Sequence, residues 1–116
     1  MVLFRVDASS KIGYGHFMRC ICIVDYFHKH SVRCLFVLNK SEPKVFAILQ
    51  TKGIDYVVLE NEIDVLKIKD VILGTIIILD INNKVLFRDA RDYRAYINFL
   101  KENDFTVVSF EEFSAE

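Results

Sequence analysis

The chain contains no tryptophan, a single proline and four glycines in 116 residues. Nothing in it reads as a linker, a repeat or a low-complexity tract, so the length corresponds to one domain spanning 1–116. An excess of one charge is also missing. Fifteen Lys and Arg face sixteen Asp and Glu, for a net charge of −1. That balance gives no electrostatic case for nucleic acid or an anionic membrane as the main partner. No apolar run reaches the ~18 residues of a membrane span. Met1 leads straight into Val2-Leu3-Phe4-Arg5-Val6, without a basic start or a small-residue cleavage site, so this stretch reads as a first strand rather than a signal peptide. Cysteine is limited to Cys20, Cys22 and Cys34. An odd count without a secretory signal points to reduced thiols and a cytoplasmic location. Cys20 and Cys22 fall on different faces of a helix. The roughly four convergent ligands of a zinc site are not visible, so neither a metal nor a cofactor is expected.

Apolar residues, in contrast, are plentiful. They make up 53% of the chain, above the ~45–50% usual in soluble domains. Such an excess implies strands buried on both faces or apolar surface reserved for a partner.

Apolar runs over Val2–Val6, Val32–Leu38, Ile54–Leu59, Thr75–Leu79 and Phe105–Phe110 predict five strands. Helical spacing over His16 to about His30 (Phe17, Cys20, Ile21, Val24, Phe27) predicts a first helix. Ser41 and Pro43 mark the start of a second, closed by Gly53. Glu62–Leu73 and Asp89–Asn103 predict two more. The segment Asp80–Lys84 reads as a polar loop and Glu111–Glu116 as a tail. Alternating strands and helices predict an α/β fold, a three-layer Rossmann-like domain with a parallel sheet of about five strands.

Open sheets of this kind bind ligands beyond the carboxyl ends of their strands. The first such end opens the loop Asp7-Ala8-Ser9-Ser10-Lys11-Ile12-Gly13-Tyr14-Gly15-His16. Gly13 and Gly15 allow positive φ or a close backbone approach. The helix that follows presents free N–H groups and the positive end of its dipole. His16 and Arg19, three apart at the helix start, can both face that side. They pair a proton carrier with a fork for phosphate or carboxylate. A dinucleotide fingerprint is only half met, because Met18 stands where its third small residue belongs and the loop is too long.

The stretch from Phe4 to Cys20, with Arg5, Asp7-Ala8-Ser9, Ile12-Gly13-Tyr14-Gly15-His16 and Arg19, resembles the N-terminal signature of the UDP-2,4-diacetamido-2,4,6-trideoxy-beta-L-altropyranose hydrolases of pseudaminic acid biosynthesis. It also resembles the related spore-coat polysaccharide biosynthesis proteins. Further on, Ile78-Leu79-Asp80 resembles the aspartate ending the family's fourth strand, although Ile81-Asn82-Asn83 follow it where the family commonly has His and Tyr. Val107-Val108-Ser109-Phe110-Glu111-Glu112 stands where the family tends to have a strand and an Asp-Asp pair.

The resemblance implies one half of a glycosyltransferase-B-like enzyme that hydrolyses a UDP-linked amino sugar, with water attacking the anomeric carbon. It implies that His16 positions or activates that water. Arg5, Asp7, Gly13, Gly15 and Arg19 would shape the sugar pocket, with Asp80 as a further candidate. The resemblance covers one domain of two. The implied partner is therefore a second Rossmann-like domain, or another copy of this chain, completing the cleft. Two other readings stay open: the acceptor side of a glycosyltransferase, and a non-catalytic, self-associating domain. Whether the chain is itself an enzyme is left open by its sequence. His28 and His30 read as complements to the helix dipole, and Phe17, Tyr26 and Phe27 as core. Arg88, Asp89, Arg91, Asp92 and Arg94 read as a solvated face, and Glu111 and Glu112 as a solvated tail.

Overall fold

The computed structural model describes residues 1–10, 13–67, 76–80 and 90–109. Five strands form one sheet: β1 (Val2–Val6), β2 (Cys34–Asn39), β3 (Asp55–Leu59), β4 (Ile76–Asp80) and β5 (Thr106–Ser109). Their spatial order is β3-β2-β1-β4-β5, and every pairing is parallel. Helices α1 (Gly15–Lys29), α2 (Pro43–Thr51) and α3 (Ala90–Glu102) connect them, with a short 3₁₀ turn at Glu62–Asp64. This is the Rossmann-like α/β architecture expected from the alternating pattern. The strand order reverses between β1 and β4, which is where such sheets open a crevice at their carboxyl ends.

Alternation along β1 divides the core. Val2, Phe4 and Val6 pack with Phe17, Cys20, Ile21 and Val24 of α1 and with Val45 and Leu49 of α2. Leu3 points the other way, into a cluster with Val37, Leu79, Leu100 and Phe105. Two helical layers thus cover the two faces, and β1 is buried throughout. Phe36 stacks on Phe4 at 5.5 Å between ring centroids and meets Phe17 edge-on at 5.7 Å. Burying each such ring stabilises the fold by about 1.5–3 kcal/mol.

The structure moves several expected features. Ser41 does not cap α2; Glu42 takes the N-cap position with extended backbone, ahead of Pro43. The Ser41 hydroxyl instead donates to the carbonyl of Ala8, because the loop after β1 lies within its reach. Gly53, with φ +67, follows the C-cap Lys52 as expected. Asp80, read as the start of a loop, is the last residue of β4 and pairs with Val6. Tyr26, expected in the core, is 61% exposed, while Phe17 is fully buried. Glu62 opens a 3₁₀ turn rather than a regular α-helical turn. Arg88, Asp89, Phe110, Glu111 and Glu112 lie outside the described residues, as do the expected polar loop at 81–84 and the expected Glu62–Leu73 helix beyond residue 67. No helix among the described residues is long and apolar enough to cross a membrane.

Candidate functional site

Parallel strands place all their carboxyl ends on one side, and three side-chain clusters gather there. The first centres on Asp80. Its side chain has no solvent exposure and lies on the α1 side of the sheet, two residues beyond the core residue Ile78. The helical spacing of α1 brings His16, Arg19 and Cys20 onto it. His16 Nδ1 lies 2.6 Å from Asp80 Oδ1. Arg19 donates from Nε to Oδ2 at 2.8 Å and from Nη2 to Oδ1. The Cys20 thiol donates to Oδ2 at 3.4 Å.

Burial by itself raises the Asp80 carboxyl. The hydrogen bonds from Arg19 and His16 outweigh it and hold the group below the usual carboxylate range. Asp80 is accordingly an anion at neutral pH, and the Nδ1 of His16 must be the donor. Arg19 Nη2 also comes within 3.3 Å of this nitrogen. With its proton directed at Asp80, that approach is a close contact rather than a bond. A neutral imidazole fixed in this way carries its lone pair on Nε2, the tautomer a general base requires. The His16 side chain is 27% exposed and that of Arg19 46%, so neither is sealed in an apolar interior. Cys20 is pushed the other way: burial, then the charge of Asp80, raises its thiol far above the ordinary value. It is a neutral donor here, not a nucleophile.

The second cluster centres on Arg5, whose side chain is fully buried on the opposite face of β1. Nε and Nη2 fork Glu62 at 2.7 and 2.6 Å, and Nη1 and Nη2 reach Asp7 at 2.8 and 3.1 Å. Nη1 also donates to the carbonyl of Val37 at 3.4 Å. Burial favours the neutral guanidine, but Glu62 and Asp7 together overcome it and raise the pKa. All five N–H donors of the guanidinium are thereby directed at protein acceptors, so Arg5, expected to line a sugar pocket, is instead taken up in holding Asp7 and Glu62. Tyr96 of α3 donates to Glu62 at 2.6 Å, and Asp7 accepts the backbone N–H of Asn39 at 2.8 Å.

The third cluster fastens the loop after β1. Glu42 accepts the Ser10 N–H and the Tyr14 hydroxyl, each at 2.6 Å. These bonds hold its carboxyl down at about 2. Lys44 lies over the Tyr14 ring, 4.4 Å from its centroid. Within the loop, the Gly13 N–H donates to the Ser9 carbonyl at 2.8 Å. Gly13 has φ +88, a conformation that any side chain would strain. The Gly15 backbone begins α1.

The structure thus unites His16, Arg19 and Asp80 at the switch point, and puts Arg5 and Asp7 in a separate cluster across the sheet. Glu62, Glu42, Tyr96 and Cys20 have parts that the sequence did not assign. One signal was present: an arginine inside an apolar strand demands buried carboxylate partners. Glu42 and Cys20 carried no such signal. Among the described residues, no group of three or more His, Cys, Asp or Glu is placed to hold a metal.

Comparison with known proteins gives no significant match: no family model, curated protein or solved structure aligns with the chain.

Proposed function

We propose that this chain is the sugar-side half of a UDP-sugar hydrolase, with His16 as the general base. The observation that carries this reading is the buried Asp80 carboxylate gripping Nδ1 of a partly exposed His16 at the switch point of the sheet. A base so oriented accepts a proton at Nε2 from a water molecule. The water oxygen forms a bond to the anomeric carbon as the bond from that carbon to the UDP oxygen breaks, with inversion. Arg19, held by the same carboxylate, stands beside the base and suits contacts with sugar hydroxyl or acetamido oxygens.

The Asp-Ala-Ser and Ile-Gly-x-Gly-His stretches supply the substrate class, a UDP-linked diacetamido sugar, through the family they resemble. A second Rossmann-like domain would supply the nucleotide site and close the cleft. The balanced net charge and the absence of a spanning helix among the described residues are compatible with work in the cytoplasm.

The test is UDP release from such a sugar nucleotide, measured after this chain is combined with a complementary nucleotide-binding half. His16→Ala should lower turnover by about 10²–10⁴-fold, the usual contribution of a positioned base. Turnover unchanged by that substitution rules the reading out. Transfer to an added sugar acceptor in preference to water would assign the domain to a glycosyltransferase instead.

A further inference from the structure

The amino end of the sheet, away from the His16 cluster, carries a cleft of its own. It holds about 220 Å³, and its walls come from the residues that end α1 and α2 and begin β2 and β3, among them His28, Ser31, Arg33, Gly53 and Asp55. Both helices stop there in the same way. After α1, the Ser31 N–H donates to the His28 carbonyl at 3.1 Å and the Val32 N–H to the Phe27 carbonyl at 3.0 Å. After α2, the N–H groups of Gly53 and Ile54 donate to the carbonyls of Gln50 and Leu49 at 3.1 and 2.9 Å. Each ending turns on a residue of positive φ, 61° at Ser31 and 67° at Gly53, a position that glycine usually fills. At Ser31 the chain brings a hydroxyl to the cleft where glycine would bring none.

The charges of the cleft are held apart. Arg33 and Asp55 both line it, yet neither is ion-paired among the described residues, with the other or with anything else. The two helix ends add the negative poles of their dipoles. A plain anion entering the cleft finds Arg33 but is opposed by Asp55 and both helix ends. A plain cation finds Asp55 but is opposed by Arg33. Only a molecule bearing both charges satisfies the two side chains together.

We infer that this cleft binds a small zwitterion of the α-amino acid class. Its carboxylate lies on the Arg33 guanidinium, whose planar fork matches that group. Its ammonium lies toward Asp55, the Ser31 hydroxyl and the helix ends. The cleft has the volume of about seven water molecules at ~30 Å³ each, below the ~300–1,000 Å³ of sites for larger ligands, so a sugar nucleotide does not fit it. The inference is independent of the sugar-nucleotide reading, because that site lies beyond the carboxyl ends of the strands and shares none of these residues.

The experiment is a titration of the isotope-labelled full chain, followed by amide nitrogen–proton correlation spectra, which also show that each variant is folded. The probes are the common L-amino acids one at a time, with acetate and methylammonium as single-charge controls. At least one amino acid should shift the amides of Ser31 to Cys34 and Gly53 to Asp55 saturably, and neither control should match it. Arg33→Gln should weaken that amino acid about tenfold, the effect of losing one charge-assisted bond, and leave its carboxamide derivative nearly unaffected. Asp55→Asn should weaken it to the same extent and leave its N-acetyl derivative nearly unaffected. The absence of such shifts with every amino acid at about 10 mM overturns the proposal. So does binding that neither substitution weakens, or acetate or methylammonium binding as tightly as the amino acid.

Discussion

His16 and Asp80 are 64 positions apart in the chain, and their side chains meet at 2.6 Å. The contact joins the first turn of α1 to the last residue of β4, so it forms only when β4 has paired beside β1. Replacing Asp80 by Asn keeps the shape but removes the charge shared by His16, Arg19 and Cys20. The variant should lose about 1–3 kcal/mol of stability, read from the urea midpoint at unchanged m-value. It should also lower UDP release nearly as far as His16→Ala in the reconstituted assay, since the imidazole loses its tautomer control. A variant with full stability and full turnover would leave Asp80 without the positioning part assigned to it.

Acid should weaken the fold through two carboxylates. Both Asp80 and Glu42 have folded-state pKa values below their unfolded ones. The unfolded chain therefore takes up more protons as pH falls, and the stability these groups provide is complete above their unfolded values. For Glu42 the loss runs from its ordinary 4.5 down toward about 2. Urea midpoints should be flat above about pH 5 and decline below it. In Glu42→Gln the decline should be shallower. An equal slope in both proteins would show that the bonds to Ser10 and Tyr14 do not persist in solution.

Arg5 neutralises two carboxylates beneath the sheet's carboxyl end. Arg5→Met fits the apolar strand but leaves Asp7 and Glu62 facing each other without a cation. A loss of about 3 kcal/mol is expected, the low end for breaking a buried pair because Glu62 keeps some solvent access. Adding Glu62→Gln should recover part of that loss in a double-mutant cycle. Strict additivity would mean that the two side chains do not interact.

The three thiols should differ in reactivity. Cys22 is exposed, whereas Cys20 and Cys34 are buried, and burial raises the pKa of both buried thiols. Mass spectrometry after brief alkylation at neutral pH should show one adduct, on Cys22, and three only after unfolding. Rapid labelling of Cys20 in the native protein would contradict its place against Asp80.

Much of this was written in local pattern. The apolar blocks located all five strands to within about two residues. β1, β2 and β4 are almost wholly buried, which leaves them little other composition, whereas the half-exposed β3 and β5 were marked by their β-branched and aromatic residues. The spacing of Phe17, Cys20, Ile21 and Val24 located α1 for the same kind of reason. Gly13 and the His16–Arg19 spacing marked the loop worth watching. The role of Ser41 was misread because a hydroxyl near a helix start can cap that helix or bond to a neighbouring loop. Local sequence does not show which acceptor the fold brings nearer.

The sequence by itself determined the α/β class, the parallel sheet and the placing of His16 and Arg19 on one face of the first helix, since these follow from apolar runs alternating with helically spaced segments and from the 3.6-residue period of a helix. Only the tertiary structure decided that Asp80 is the carboxylate they share, that Arg5 is fully occupied by Asp7 and Glu62, and that Glu42 fastens the loop after β1. Such pairings depend on strand order, and the order β3-β2-β1-β4-β5 arises from packing the whole chain at once. No window of neighbouring residues contains it.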